Sequence, residues 1–332
     1  MNTLWHVERA DCLEWLATLP DDSVDLCLFS PPYEAARTYS IGFNLRGQDW
    51  VDWMVKVFQA CLRVCKGLVA CVCEGQTRQF RWTATPALLM ADLHRAGFRL
   101  RKPLAFHRVG IPGSGGPDWF RNDYEFIVCA TKGKLPWSDN TACGHTPKWA
   151  PGGEMSHRLG DGRRRNQWGG ASKSPHERNA DGVRQASERP SHVVTSNREL
   201  KARRLERGNT KGSCKGRRVT SGHKDGDTPN GDSYDPPVKA NPGNVLHCKV
   251  GGGLMGHALA HENEAPYPLK LAEFFVLSCC PPGGIVCDPF SGSGTTLHAA
   301  LANGRRFMGC DVRQSQVELT KRRAESVTPA MF

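Results

Sequence analysis

Residues 285–296 read IVCDPFSGSGTT, and this is the stretch of the chain best equipped for chemistry. A short apolar run, Ile285–Cys287, reaches a carboxylate, Asp288, followed by Pro289, Phe290 and a loop holding Gly292, Ser293 and Gly294. Thr295 and Thr296 then open a helical pattern that continues from Leu297 to Leu301. Strand, glycine-rich turn and helix make the unit in which a nucleotide-like ligand lies against backbone N–H groups at a helix N-terminus. Glycine allows the approach, because a Cβ there would collide with the ligand. No lysine follows the glycines, so this is not a phosphate-binding P-loop and the ligand need carry no phosphates. A second strand pattern, Arg306–Cys310, ends at Asp311, 23 residues after Asp288, an offset that suits a carboxylate on a ribose hydroxyl pair. The plainer reading of such a loop, a tight connection, is weakened by the flanking strand, helix and second acid.

The second group with chemical potential is Ser30-Pro31-Pro32-Tyr33, where the apolar run Val24–Phe29 stops abruptly. Two prolines fix the backbone and remove two N–H donors, so nearby carbonyls point outward without local competition. A hydroxyl, a rigid carbonyl and an aromatic face together suit a planar ring bearing an amino group: the oxygens accept its N–H bonds and Tyr33 stacks on it. By itself the tetrapeptide reads equally well as a proline-rich turn at a strand end.

Taken together, the two stretches resemble the amino-methyltransferases of DNA, which move a methyl group from S-adenosylmethionine to an exocyclic base nitrogen. That family carries a D/N/S-P-P-Y/F catalytic motif and a D-P-F-x-G-S-G-T cofactor motif, and both occur here. Catalytic motif first and cofactor motif last resembles the β group, a circular permutation of the usual methyltransferase fold. The resemblance covers roughly residues 1–135 and 241–325. It implies Ser30, Pro31, Pro32 and Tyr33 as the catalytic set. It implies Asp288, Pro289, Phe290, Gly292, Ser293, Gly294, Thr295, Thr296 and Asp311 around the cofactor. Asp11 and Cys12 match the family's G-D-C position beside the adenine of the cofactor, with Ala10 in place of the glycine; Asp11 also suits the cap of the helix starting there. His261 and Pro266-Tyr267-Pro268 are similar to an H-x-A-x-F-P segment near the methionine part of the cofactor, with Asn263 replacing the small residue. His261 reads more readily as a local structural contact than as a chemical group.

The elements that must position these groups alternate. Trp5–Glu8 is a β-like run, Cys12–Leu19 a helix pattern, Trp50–Lys66 a longer one, and Leu68–Cys73 a strand. Ala87–Ala96 reads as a helix stopped by Gly97, and Leu104–Val109 and Glu125–Thr131 as strands. Residues 131–133, Thr-Lys-Gly, resemble the family's closing signature for the first half. Alternation of strands and helices predicts an α/β, doubly wound and mostly parallel Rossmann-like sheet. The resemblance adds a circular permutation and a last strand that runs antiparallel. The expected organisation is residues 1–140 as the catalytic half of one domain, 141–240 as a basic target-recognition insert and 241–332 as the cofactor half.

The 332 residues carry a net charge of +11, which favours a polyanionic partner. Residues 145–240 hold 20 lysines and arginines against 11 acids, so +9 of that charge sits in 96 residues. Large apolar residues nearly vanish there, and such a segment buries too little apolar surface to fold well unaided. The expected partner is double-stranded DNA, with phosphates held by Arg163, Arg164, Arg165, Arg203, Arg204, Arg217 and Arg218. The bland alternative is a solvated, partly disordered loop, and Trp149 and Trp168 could pack on the body or on DNA. Fourteen cysteines with no Cys-x-x-Cys pair and no signal-peptide-like start point to reduced, buried thiols in a cytoplasmic protein with no metal, and the family resemblance implies a bacterial or phage-encoded, nucleoid-associated one. No apolar stretch is long enough to span a membrane. Oligomeric state stays open.

Without a Pro-Cys dipeptide the chain lacks the nucleophile of a carbon-5 cytosine enzyme. Ser at the first motif position leans the resemblance to N4 of cytosine; N6 of adenine is the alternative, since hydroxyl and carboxylate can both accept amino hydrogens. An RNA methyltransferase and a catalytically inactive DNA-binding homologue are the further alternatives, and a restriction-modification setting is one of several consistent with the resemblance.

Overall fold

The computed structural model describes residues 4–34, 42–110, 116, 118–145, 239–250, 255–263 and 265–330. The chain divides into one unit formed by Met1–Cys143 and Pro242–Phe332, and a second, Gly144–Asn241, most of which lies outside the described residues. At the ends of the second unit His145 and Ala240 form an antiparallel bridge in which each backbone N–H donates to the other's carbonyl, at 3.2 and 2.9 Å.

The first unit is built on a twisted sheet. In chain order its described strands are β1 (Trp5–Arg9), β2 (Val24–Phe29), β3 (Cys65–Cys73), β6 (Arg99–Leu100), β7 (Leu104–Val109), β8 (Tyr124–Thr131), β9 (Val245–Lys249), β10 (Ile285–Asp288) and β11 (Arg306–Asp311). A separate hairpin pairs β4 (Thr77–Arg78) with β5 (Arg81–Trp82). The sheet order is β1-β11-β10-β2-β3-β8-β7-β9, with β6 beside β8. β1, β11, β10, β2 and β3 run parallel, and β8 is antiparallel to both neighbours, the reversed strand that the family resemblance implied. β10 and β2 are neighbours whose chains leave to opposite sides, towards β11 and β3. A ligand crevice belongs beyond the carboxyl ends of strands at such a switch point.

Helices α1 (Cys12–Thr18), α2 (Gly47–Val64) and α3 (Thr85–Arg95) cover one face; α4 (Leu269–Cys279), α5 (Thr295–Ala302) and α6 (Gln314–Ser326) cover the other. Period-two alternation assigns the strand side chains. Cys27 and Phe29 of β2 pack with Val69, Cys71 and Cys73 of β3 under α2, while Leu26 and Leu28 join Leu68, Ala70 and Val72 under α4. Among the described residues eleven cysteines are buried in free form, Cys12, Cys27, Cys61 and Cys71 among them, and fill the core as small apolar groups.

Asp25, the one charge in the apolar run of β2, is a stitch between strands. Its Oδ2 accepts from the Ile285 N–H at 2.8 Å and its Oδ1 lies 3.0 Å from the Lys66 ammonium. That pairing corrects the expected boundary near residue 66. The helix ends at Val64, and Cys65 and Lys66 already belong to β3, because Cys65 pairs with Val24 and Gly67 has no room for a side chain against Asp25. α4, α6, β6 and β9 were not anticipated, and neither was the hairpin. No described helix is long and apolar enough to cross a membrane.

Candidate active site

The Ser30–Tyr33 turn follows the last residue of β2 and is fixed from the α2 side. Trp50, fully buried, donates its indole N–H to the Pro32 carbonyl at 2.9 Å, leaving the Pro31 carbonyl with no donor among the described residues. The Ser30 hydroxyl donates to the Tyr33 oxygen at 3.4 Å, and the Tyr33 hydroxyl donates to Glu125 Oε2 at 2.7 Å. Glu125 is the second residue of β8, and its Oε1 lies 3.1 Å from Arg108 Nη1 on β7. Burial, with the Glu125 charge beside it, pushes the Tyr33 phenol well above the ordinary range.

The glycine-rich loop is organised from beneath. Asp288 ends β10, is 2% exposed, and accepts from the Phe290 N–H at 2.9 Å, the Thr296 hydroxyl at 2.5 Å and, more weakly, the Tyr267 hydroxyl at 3.5 Å. Burial lifts its pKa to about 7, with the Asp311 charge adding to the rise and its three donors opposing it. Gly292 and Gly294 have φ of 51° and 72°, the left-handed region in which a side chain is strained. α6 braces the turn: Thr320 Oγ1 donates to the Gly292 carbonyl at 2.9 Å, and the buried Arg323 guanidinium donates to the Ser293 carbonyl at 3.1 Å and to Thr295 Oγ1 at 3.0 Å. Asp311, at the end of β11, accepts from the Gly292 N–H at 3.0 Å and the Arg313 N–H at 2.9 Å. Gly309 beside it is obligatory, since a Cβ would lie 2.3 Å from Ser291 Oγ and 2.7 Å from the Asp288 carbonyl oxygen.

One cavity of about 1050 Å³ opens over these strand ends. All four residues of the Ser30–Tyr33 turn line it, facing Pro289, Phe290, Gly292 and Asp311 across the switch point. Asp11 and Cys12 from the start of α1 and His261 and Pro266 from the segment before α4 complete its wall. The expected sites thus meet in one place, with a division among them. Asp288, Ser293, Gly294, Thr295 and Thr296 do not line the cavity; they are buried behind it, where they shape the loop. Asp11 also caps α1, its Oδ1 accepting from the Leu13 and Glu14 N–H groups at 2.8 and 3.2 Å. Ala10 does not have a positive φ, so its replacement of glycine strains nothing. Asn263 packs against Gly292, its amide nitrogen 2.9 Å from the place a Cβ would take.

Several lining residues carried no sequence signal. Glu74 follows the last residue of β3 and Glu125 lies on the neighbouring β8, and burial raises the pKa of Glu74, whose Oε1 accepts from Trp82 Nε1 at 3.0 Å and the Gly75 N–H at 2.9 Å. Trp53 lies edge-on to Phe290 with ring centres 5.7 Å apart and forms an aromatic wall. Arg163, Arg164, Arg165, Arg203, Arg204, Arg217 and Arg218, with Trp149 and Trp168, lie outside the described residues, as does 35–41 of the stretch following Tyr33.

A family model described as DNA methylase, covering N6 and N4 enzymes, matches residues 24–322. The orphan methyltransferase M.BamHII of Bacillus amyloliquefaciens is 37% identical over 68 residues, 20% of this chain and 26% of that one. The segments matched in the first three curated relatives amount to 26% to 32% of those proteins' lengths. Among solved structures, the cytosine-N4-specific PvuII DNA methyltransferase superimposes with a TM-score of 0.58 at 16% identity, over 96% of this chain and 86% of that one. The TTHA0409 protein of Thermus thermophilus, solved in complex with S-adenosyl-L-methionine, does so with a TM-score of 0.50 at 19% identity, over 97% and 94%. At these identities the structural likeness is one of fold.

Proposed function

The chain belongs to the DNA methylase family of N6 and N4 enzymes, and on that premise we propose that it methylates the exocyclic N4 of cytosine in DNA, using S-adenosyl-L-methionine. One observation carries the reading: Ser30, the Pro31 carbonyl, which has no donor among the described residues, and Tyr33 share a cavity with Gly292 and Asp311. At about 1050 Å³ this cavity reaches the top of the roughly 300–1,000 Å³ range of small-molecule sites, enough for a nucleoside-like cofactor and a base together. The wall also fits the cofactor chemically. Gly292 presents bare backbone, Asp311 offers a carboxylate for ribose hydroxyls, and the aromatic edge of Phe290 and Trp53 offers an apolar side for a purine. The cofactor supplies an electrophilic methyl group on a sulfonium.

The residues of the chain then do the rest. A conjugated amino nitrogen is a poor nucleophile because its lone pair is delocalised into the ring. Ser30 Oγ and the Pro31 carbonyl accept its two hydrogens and favour a more tetrahedral, more nucleophilic nitrogen. The Tyr33 ring face holds the base in line, and proximity supplies much of the rate. Extracting the base from a duplex costs a few kcal/mol, part of which stacking offsets. Phosphates are contacted by the basic insert, with Arg163–Arg165, Arg203, Arg204, Arg217 and Arg218 as the leading groups.

The test is a product analysis. Purified protein, S-adenosyl-L-methionine and mixed-sequence duplex DNA are incubated, the DNA is digested, and nucleosides are identified by mass spectrometry. N4-methylcytosine is expected. N6-methyladenine would keep the chemistry and replace the base, whereas DNA free of new methyl groups would overturn the proposal.

A further inference from the structure

A serine hydroxyl has a problem at this position that a carboxylate does not have. It can donate as well as accept. A Ser30 hydroxyl donating to the amino nitrogen of the base would engage the lone pair that has to attack. We propose that Glu125, held by Arg108, acts through Tyr33 as a positioning residue that makes Ser30 an obligate acceptor; this rests on the amino-methyl-transfer reading above.

The direction of the hydrogen-bond chain follows from its far end. Arg108 can only donate, and its guanidinium lies 3.1 Å from Glu125 Oε1 in a pair whose side chains are 25% and 13% exposed. An ionised carboxylate can only accept, so the 2.7 Å contact between Glu125 Oε2 and Tyr33 takes the phenolic proton. Tyr33 therefore has only oxygen lone pairs left to offer, and the Ser30 hydroxyl, 3.4 Å away, points its proton there. That distance is loose for two hydroxyls, as catalytic contacts often are before substrate arrives. With its proton committed, Ser30 presents only lone pairs to the cavity. The chain of bonds thus gives a neutral hydroxyl the acceptor-only character of an aspartate.

The sheet holds the relay rigidly. Glu125 stands opposite Phe106 on β7, and Arg108 follows two residues later on the same face, the diagonal arrangement that long side chains bridge. A second bond, from Arg108 Nη2 to the Asn122 carbonyl at 2.6 Å, fixes the guanidinium. Glu74, the other carboxylate nearby, is held by donors of its own, Trp82 and Gly75, and leaves Tyr33 to Glu125.

Glu125→Gln is the informative change, because an amide can donate to Tyr33 and let the chain run the other way. Wild type, Glu125→Gln, Tyr33→Phe and the double variant are compared in steady-state methyl transfer to duplex genomic DNA, with cofactor affinity measured by calorimetry. Glu125→Gln is expected to lower kcat by about tenfold or more with unchanged cofactor affinity, and the double variant to be no slower than Tyr33→Phe alone. Wild-type kcat in Glu125→Gln, or losses that multiply in the double variant, would overturn the relay. A further arm adds Ser30→Asp, in which the acceptor is fixed by charge; there Glu125→Gln should change kcat by less than about twofold, and a full loss in that background would also count against the relay. A wild type that transfers no methyl group to DNA overturns the amino-methyl-transfer reading itself, an outcome distinct from every variant comparison.

Discussion

Replacing Asp288 by asparagine turns the buried carboxyl into a measurable pH dependence. Burial beneath the cavity lifts this pKa from 3.8 to about 7, despite the donors at Thr296, Phe290 and Tyr267. The folded protein therefore prefers the protonated acid. The stabilisation from that preference is complete below about pH 4, is lost as pH rises, and is gone above about pH 7. A shift of about three units corresponds to roughly 4 kcal/mol in total, and about 3 kcal/mol of it disappears between pH 5 and pH 8. Asparagine is isosteric, still accepts the Phe290 N–H, and has no charge to bury. Urea unfolding of both proteins at about pH 5, 6, 7 and 8 gives the difference in stability, in which all other titrations cancel. The variant should gain on the wild type by about 3 kcal/mol across that range. A difference that stays flat with pH would refute the dry environment assigned to Asp288 and, with it, the account of how the loop is held.

Three other outcomes follow from the same geometry. Gly309→Ala forces a Cβ against the backbone of Asp288, so about 3 kcal/mol or more of stability and the cofactor affinity should both be lost, and an unchanged melting temperature would refute the close approach. Trp50→Phe leaves the Pro32 carbonyl without its donor, costing about 1–3 kcal/mol in urea unfolding and lowering turnover more than cofactor affinity; equal effects on both would mean the tryptophan does not serve the turn specifically. Neutralising Arg163, Arg164 and Arg165 should weaken DNA binding and reduce the slope of log K against log salt by about 0.9 for each phosphate contact removed, and an unchanged slope would remove these arginines from the DNA-binding surface.

Much of the site was legible because its two halves are written in local sequence. Ser30–Tyr33 follows an apolar run typical of a buried parallel strand, and residues 285–296 announce strand, turn and helix within a dozen positions. What stayed hidden depends on register. Glu125 reads as one acid at the start of a strand, and only the pairing of β8 with β7 brings it to Arg108 and across to Tyr33. Thr320 and Arg323 carry no signal in the sequence, and their role emerges only when α6 packs behind the glycine loop. The roles expected around the motif also divide by depth. Asp288 and Thr296 match the family's letters, yet their side chains bond to one another beneath the wall that Gly292 and Asp311 form. β9 was missed because its partner β7 lies far upstream, and hydropathy carries no record of a pairing across so long an excursion.

The two-way bridge between His145 and Ala240 has a consequence for how such a protein can diversify. Opposed residues in an antiparallel pair stand about 5.5 Å apart, so the excursion between them begins and ends at one point. Chain-closure entropy grows only with the logarithm of loop length, and doubling the excursion adds about 0.6 kcal/mol. In closure entropy, therefore, the length of the chain between them weighs little. On that count alone the region proposed to read the target can be lengthened or shortened at little cost to the closing pair, while Gly309, at the strand ends proposed to hold the cofactor, leaves no room for even a Cβ. The length of the excursion and the spacing of the residues that close it become separate variables, joined at a reciprocal pair of backbone hydrogen bonds.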